Sequence, residues 1–296
     1  MIKKLKGIGL LILANFLIFI TLSITFTLLS ELILPAFGID IRGMVTYSDL
    51  LWALVLGFGG AFLSLAFSKQ LARAMVGECS QITTPRTPKE AVVYETVHKL
   101  ANKLDIAMPE VWVYDSPDPN AFATGPSKNN SMVAVSRGLL DNLNEGEIRA
   151  VLAHEMGHVY NGDMFTTTIL QGLMNTFVYF ISRLIYRQLA ERNELLAFGV
   201  YMALHVGLSL LATIPISWFS RHREFAADRF AAFSVGKEYM ISALRAIDRW
   251  IQQTQFQYAT DDALAAMKIS GPTWNFSKLF ATHPPIEERI AALERL

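Results

Sequence analysis

Cysteine is nearly missing from this chain, and so is any excess of charge. The one cysteine, Cys79, has no internal partner, which excludes an intramolecular disulfide framework and agrees with a reducing compartment. The 26 Lys and Arg residues are matched by 26 Asp and Glu, for a formal net charge of +0. No basic stripe rises above that balance, which argues against nucleic acid as a partner. Internal repeats and low-complexity tracts are absent as well.

Over long stretches charge is absent altogether. The mean hydropathy is +0.32 and 52% of residues are hydrophobic, collected in blocks. No charged residue occurs from Gly7 to Ser30 or from Leu50 to Ser68, and each run suits a membrane helix of about 20 residues. Met164 to Ser182 is a third run, weakened by Thr166, Thr167, Thr168, Gln171 and Asn175; Leu195 to Ser220 is a fourth, interrupted only by His205. These two either span or form a shallower hairpin beside the site. His205 reads as a neutral histidine bonded to a neighbouring backbone carbonyl rather than as a functional group. Lys3, Lys4 and Lys6 give the first run a signal-like start, and Ala36-Phe37-Gly38 faintly resembles a cleavage site. The apolar core exceeds the roughly 15 residues of a cleavable segment, so a retained anchor is expected. Lys3, Lys4, Lys6, Lys69, Arg73, Arg86, Arg221, Arg223 and Arg229 fall on one side of the spans, against Arg42, Arg183, Arg187 and Arg192 on the other. That bias places the first of these sides, with the polar segment between the second and third runs, in the cytoplasm.

Between the runs stands His154-Glu155-Met156-Gly157-His158. Positions four apart share a helix face, so both imidazoles can grip one Zn²⁺ while Glu155 serves as general base. Asn144 with Glu147 resembles a capping box, and Ile148, Val151, Leu152 and Val159 form an apolar stripe for burial. A hydrolytic zinc keeps three protein ligands and leaves the fourth position to water. The extended metzincin pattern fails, because Asn161 and Met164 stand where it requires Gly and His. The third ligand must come from elsewhere, and Ser220 to Asp228 offers Glu224, with Asp228 one turn later to accept the free N–H of a ligand histidine. On their own, the two would read equally well as exposed carboxylates paired with Arg221, Arg223 or Arg229.

Thr83 to Pro88 reads as a stiff linker into an amphipathic helix carrying Val93, Val97, Leu100 and Leu104 on one side. Val111 to Tyr114 and Met132 to Val135 read as strands. Between them, Asn120-Ala121-Phe122-Ala123-Thr124-Gly125 suits an exposed sheet edge able to pair with an extended peptide, and suits a plain loop equally. The organisation expected is a two-helix membrane anchor over 1–70, a first part of a protease domain over 71–164, a second hydrophobic hairpin over 165–219 and the rest of the protease domain over 220–296. His283, held by Pro284 and Pro285, reads by itself as a turn residue.

His154-Glu155-x-x-His158, Asn161-Gly162-Asp163, Arg223-Glu224-x-x-Ala227-Asp228, the Asn120 to Gly125 segment and the tail His283-Pro284-Pro285 with Arg289 together resemble the HtpX family of bacterial membrane zinc metalloproteases. That family is more remotely similar to zinc proteases that trim prenylated proteins. The resemblance covers essentially the whole chain. It implies a multi-pass protein of the bacterial inner membrane, α-helical, with a cytoplasmic, mainly α zincin-type domain carrying a small β-sheet. It implies an endopeptidase linked to heat stress, acting on misfolded membrane proteins in the lipid bilayer, beside other quality-control proteases. One zinc per chain would be held by His154, His158 and Glu224, with Glu155 as base and Asn120, Ala121, Phe122 and Ala123 in the strand that receives substrate. His283 and Arg289 would line the site near the scissile carbonyl. His283 would serve either as an oxyanion donor, the favoured role, or as a plug on the open zinc position. Two rival readings are an intramembrane regulatory metalloprotease, opposed by the polar residues after the motif, and a membrane adaptor with a structural zinc, which would have no use for Glu155.

Overall fold

The computed structural model describes residues 47–261 and 283–296. In chain order its elements are α1 (Tyr47–Ala66), α2 (Ser68–Val76), β1 (Cys79–Gln81), α3 (Pro88–Lys103), β2 (Glu110–Tyr114), β3 (Ala121–Ser127), β4 (Asn130–Ser136), α4 (Arg137–Asn142), α5 (Glu145–Asn161), α6 (Asp163–Ala190), α7 (Glu194–Val235), α8 (Lys237–Asp261) and α9 (Ile286–Glu294). The expected anchor from Gly7 to Ser30, with Lys3, Lys4, Lys6 and Arg42, lies outside the described residues. The described residues form two compact units: 47–63 with Thr168–Thr213, and Ser64–Thr167 with 214–261 and 283–296.

In the first unit, uncharged sequence becomes uninterrupted helix, since an apolar environment demands that every backbone polar group be paired within the segment. Among the described residues two helices are long and apolar enough to cross a membrane, with 18-residue windows of mean hydropathy 1.8 in α1 and 2.0 in α7. On α7, Leu195, Phe198, Val206, Leu210 and Leu211 are exposed, a surface that lipid accommodates and water does not. The third run, in α6, falls outside that pair. Its polar residues find partners: Gln171 Nε2 donates to Asn175 Oδ1 at 2.8 Å and Thr176 Oγ1 to Gly172 O at 2.8 Å within the helix, while Asn175 Nδ2 donates to Gly57 O of α1 at 3.4 Å. Glycine brings α1 and α6 together, because a Cβ on Gly57 would lie 2.2 Å from Thr176 Oγ1 and one on Gly172 2.3 Å from the Phe58 ring. His205 departs from expectation. Its Nδ1 is buried with no hydrogen-bond partner, and its ring stacks on Tyr201 at 5.6 Å.

The second unit is built on a four-stranded sheet of order β1-β2-β4-β3, with β2 and β4 parallel and the outer pairs antiparallel. Every residue of β4 from Ser131 to Ser136 is buried, as its central place requires. The two strands read from the sequence appear with slightly longer bounds, and Asn120 to Gly125 resolves into strand rather than loop from Ala121 onward. β1 has no counterpart in the sequence reading, because Cys-Ser-Gln carries neither alternation nor branched residues. The linker ends in a cap: the Thr87 side chain accepts from the Glu90 N–H and Pro88 opens α3. Val93, Val97 and Leu100 on α3 are buried against α5, whose Ile148, Val151, Leu152 and Val159 are buried too, and Met240 and Leu244 of α8 close the core. The architecture is thus mostly helical with a small mixed sheet, and α5 is its central helix.

Candidate metal centre

α5 owes its start and stop to local chemistry. The Glu147 N–H donates to Asn144 Oδ1 at 3.0 Å and the Asn144 N–H to Glu147 Oε2 at 2.9 Å, a complete capping box. Gly162 then ends the helix with φ of 70°, a left-handed conformation that glycine adopts without penalty. Within those bounds His154 and His158 share a face, and their Nε2 atoms lie 3.1 Å apart. Glu224, on the polar stretch of α7 beyond its apolar run, reaches the same point: Oε1 is 3.3 Å from His158 Nε2 and Oε2 is 3.5 Å from His154 Nε2. One ligand atom from each residue lies within 4.8 Å of the others.

These residues fit zinc. Each histidine has its other nitrogen held by a carboxylate, His154 Nδ1 by Asp228 Oδ1 at 2.8 Å and His158 Nδ1 by Asp163 Oδ2 at 2.7 Å. That directs the protons outward and the Nε2 lone pairs inward, the tautomer a metal ligand needs. Glu224 is 3% exposed, and its Oε2 makes no hydrogen bond although His283 Nδ1 and Arg289 Nη1 stand 3.0 and 3.2 Å away. Two converging lone pairs and a buried carboxylate are costly neighbours unless a cation joins them.

Electrostatics separates the two glutamates. Burial pushes the Glu155 carboxyl above its ordinary value, against the pull of the neighbouring His154 and His158. Burial acts the same way on Glu224, but there the imidazoles of His154, His158 and His283 that face it prevail and hold it far below the carboxylate range. Both histidines lie above the usual imidazole value: burial opposes their charged forms, and Asp228 and Glu224 at His154, or Glu224 at His158, outweigh it. One carboxyl ready to exchange a proton beside one kept ionised is the usual division between base and ligand.

The other candidates fall around this centre. Ala121, Phe122 and Ala123 pair with Val135, Ala134 and Val133 on one side, and among the described residues no strand pairs with the outer side of β3. Asn120 precedes the strand, and both its backbone groups are taken by Ser136: its N–H donates to Oγ at 2.9 Å and its carbonyl accepts from the Ser136 N–H at 2.9 Å. Arg289 is buried and grips Asp228 with two hydrogen bonds, Nε to Oδ2 at 2.8 Å and Nη2 to Oδ1 at 2.6 Å. Its guanidinium therefore faces the carboxylates on α7. The side chain of His283 is 67% exposed at the rim. Sequence reasoning passed over Asp163 and Arg223 as site residues, though both stand in quoted motifs. The available signal was Asp163 directly after the helix-ending Gly162, placed to turn back on the last turn of α5.

Comparison with known proteins agrees with the geometry. The profile of peptidase family M48 matches residues 88–296. A "Protease HtpX homolog" of Methylacidiphilum infernorum is 43% identical over 302 residues, covering 98% of this chain and 99% of that protein. "Protease HtpX" of Vibrio cholerae is 46% identical over 255 residues, covering 83% and 86%. Among solved structures, the crystal structure of S. mikatae Ste24p superposes with a TM-score of 0.63 at 19% identity, over 95% of this chain and 67% of that one, a likeness of fold.

Proposed function

This chain belongs to peptidase family M48, and from that membership we propose a division of labour among its residues. The protein is a membrane-bound zinc metalloprotease; the proposal concerns how its side chains act and on what. His154, His158 and Glu224 hold the metal, and their convergence is the observation that carries the reading. When bound, zinc supplies the Lewis acidity that brings a water's pKa to about 7 and polarises a carbonyl. Glu155 takes a proton from the attacking water and returns it to the leaving amine, a task suited to a carboxyl whose pKa burial has raised. The open side of β3 binds substrate as an added strand. Asp228 orients His154, and His283 at the rim donates to the developing oxyanion.

The substrates are polypeptides, specifically misfolded or damaged membrane proteins in heat or envelope stress, with the catalytic unit on the cytoplasmic side of a bacterial inner membrane. Support comes from the HtpX relatives and from the joining, in one chain, of a peptidase site with helices apolar enough to cross a bilayer. The test is purified full-length protein, its zinc counted, assayed on casein and for self-cleavage beside Glu155→Gln. That variant keeps zinc and fold and loses roughly three or more orders of magnitude in turnover. Proteolysis at a tenth of the wild-type rate in a protease-free preparation would remove Glu155 from its role.

A further inference from the structure

The two ligand histidines are each backed by an acid and a base drawn from distant parts of the chain. His154 leans on Asp228, which Arg289 clamps from α9. His158 leans on Asp163, the first residue of α6, and Asp163 in turn pairs with Arg223 of α7. The second set is built differently. In Asp228 the Oδ1 that meets His154 also meets Arg289, whereas Asp163 divides its oxygens, Oδ2 to His158 and Oδ1 to Arg223. Asp163 is 7% exposed, so removing either partner would leave a charge poorly solvated.

We infer that Asp163 and Arg223 are a positioning pair for His158: the Asp163 carboxylate fixes the ring's tautomer and aim, and Arg223 acts only by holding that carboxylate. The inference rests on the reading of His154, His158 and Glu224 as the zinc ligands. Its geometric basis is the break at Gly162. The left-handed turn ends α5 just past His158 and starts a new helix at Asp163, so the acid is set beside the imidazole of the preceding turn. Arg223 adjoins Glu224 on α7, so the same short stretch of helix delivers the third ligand and the cation that steadies the second. Neither residue is one of the three ligands, and their effect on turnover passes through the metal.

Full-length protein in detergent, stripped of metal, is titrated with zinc against a chromophoric chelator. The variants are Asp163→Asn, Asp163→Ala, Arg223→Gln and the pair Asp163→Ala with Arg223→Gln. Asp163→Ala weakens zinc binding about 10 to 100-fold, the usual cost of losing an outer partner of a ligand. Arg223→Gln causes a smaller, several-fold loss, and the double variant binds no more weakly than Asp163→Ala, because an arginine that works through Asp163 has nothing left to act on. Asp163→Asn preserves shape and one acceptor while losing charge, and stands between wild type and Asp163→Ala; loaded with cobalt(II), it shows a shifted visible band at an unchanged thermal midpoint. Should Asp163→Ala fail to fold, Asp163→Asn and Arg223→Gln decide the matter. Wild-type affinity in both, or strictly additive losses in the double variant, overturns the inference. His158→Ala separates the two levels: retained zinc there defeats the ligand reading, and lost zinc there beside unaffected Asp163 variants defeats the positioning pair alone.

Discussion

Gly157 packs directly against the backbone of Ala227 and the ring of Phe230. A Cβ on Gly157 would lie 3.3 Å from the Ala227 Cα and 3.2 Å from the Phe230 ring, and Ala227 is completely buried. This close approach brings Glu224 within reach of two histidines on α5. Gly157→Ala is therefore tolerated with a small loss of zinc affinity, whereas Gly157→Val forces the helices apart and abolishes zinc binding, at a cost of about 1–3 kcal/mol in stability. Zinc counted by atomic absorption together with a thermal melt checks both; stoichiometric zinc in Gly157→Val would show that the spacing is not needed.

Glu224 and Asp228 share a helix face but not a role. Glu224→Ala removes a ligand and yields protein without zinc, while Asp228→Ala leaves the ligands in place and weakens affinity about 10 to 100-fold. Asp228→Ala also strands the buried Arg289, so its melting temperature falls as well. Full occupancy and activity in Glu224→Ala would point to another carboxylate.

For His283 the sign of the effect distinguishes donor from plug. As an oxyanion donor, its loss in His283→Ala lowers casein hydrolysis and self-cleavage about 10 to 1000-fold at equal zinc content. A rise in basal self-cleavage would instead identify the imidazole as a plug, and unchanged rates would make it a turn residue.

Cys79, the lone thiol, reports topology. Intact cells treated with a membrane-impermeant thiol reagent leave it unlabelled, and opening the membrane exposes it. Labelling of intact cells would move the catalytic unit to the other side.

Glu110 accepts from Lys69 Nζ at 2.7 Å and ties α2 to the sheet. Burial alone would raise its pKa, but Lys69, Trp112 and Arg73 prevail and lower it. A lowered folded-state value means that the pair's stabilisation is present above the unfolded carboxyl's ordinary value of 4.5 and disappears as pH falls through the folded value beneath it. The melting difference between wild type and Glu110→Gln is accordingly small at pH 7, below about 1 kcal/mol for a partly exposed pair, and vanishes under stronger acid. A difference that grew on acidification would contradict this assignment.

How much was legible in advance depended on distance along the chain. The capping box, the H-E-x-x-H face and the apolar stripe of α5 are contacts between residues three to four apart, and they appeared as read. The edge strand was ambiguous, because Ala-Phe-Ala-Thr-Gly-Pro carries no strong periodicity and its strand state comes from pairing with β4. The clasp of Arg289 on Asp228 spans 61 residues and that of Arg223 on Asp163 spans 60, so no local pattern could announce either.

By itself the sequence determined a helix with His154 and His158 on one face, Glu155 between them and uncharged runs around it, since helical periodicity and apolar length are local properties. Tertiary structure alone decided that Glu224 arrives at the histidines, that Gly157 admits it, and that each imidazole meets an aspartate paired with an arginine. Those relationships join separate helices, and only packing fixes which faces meet.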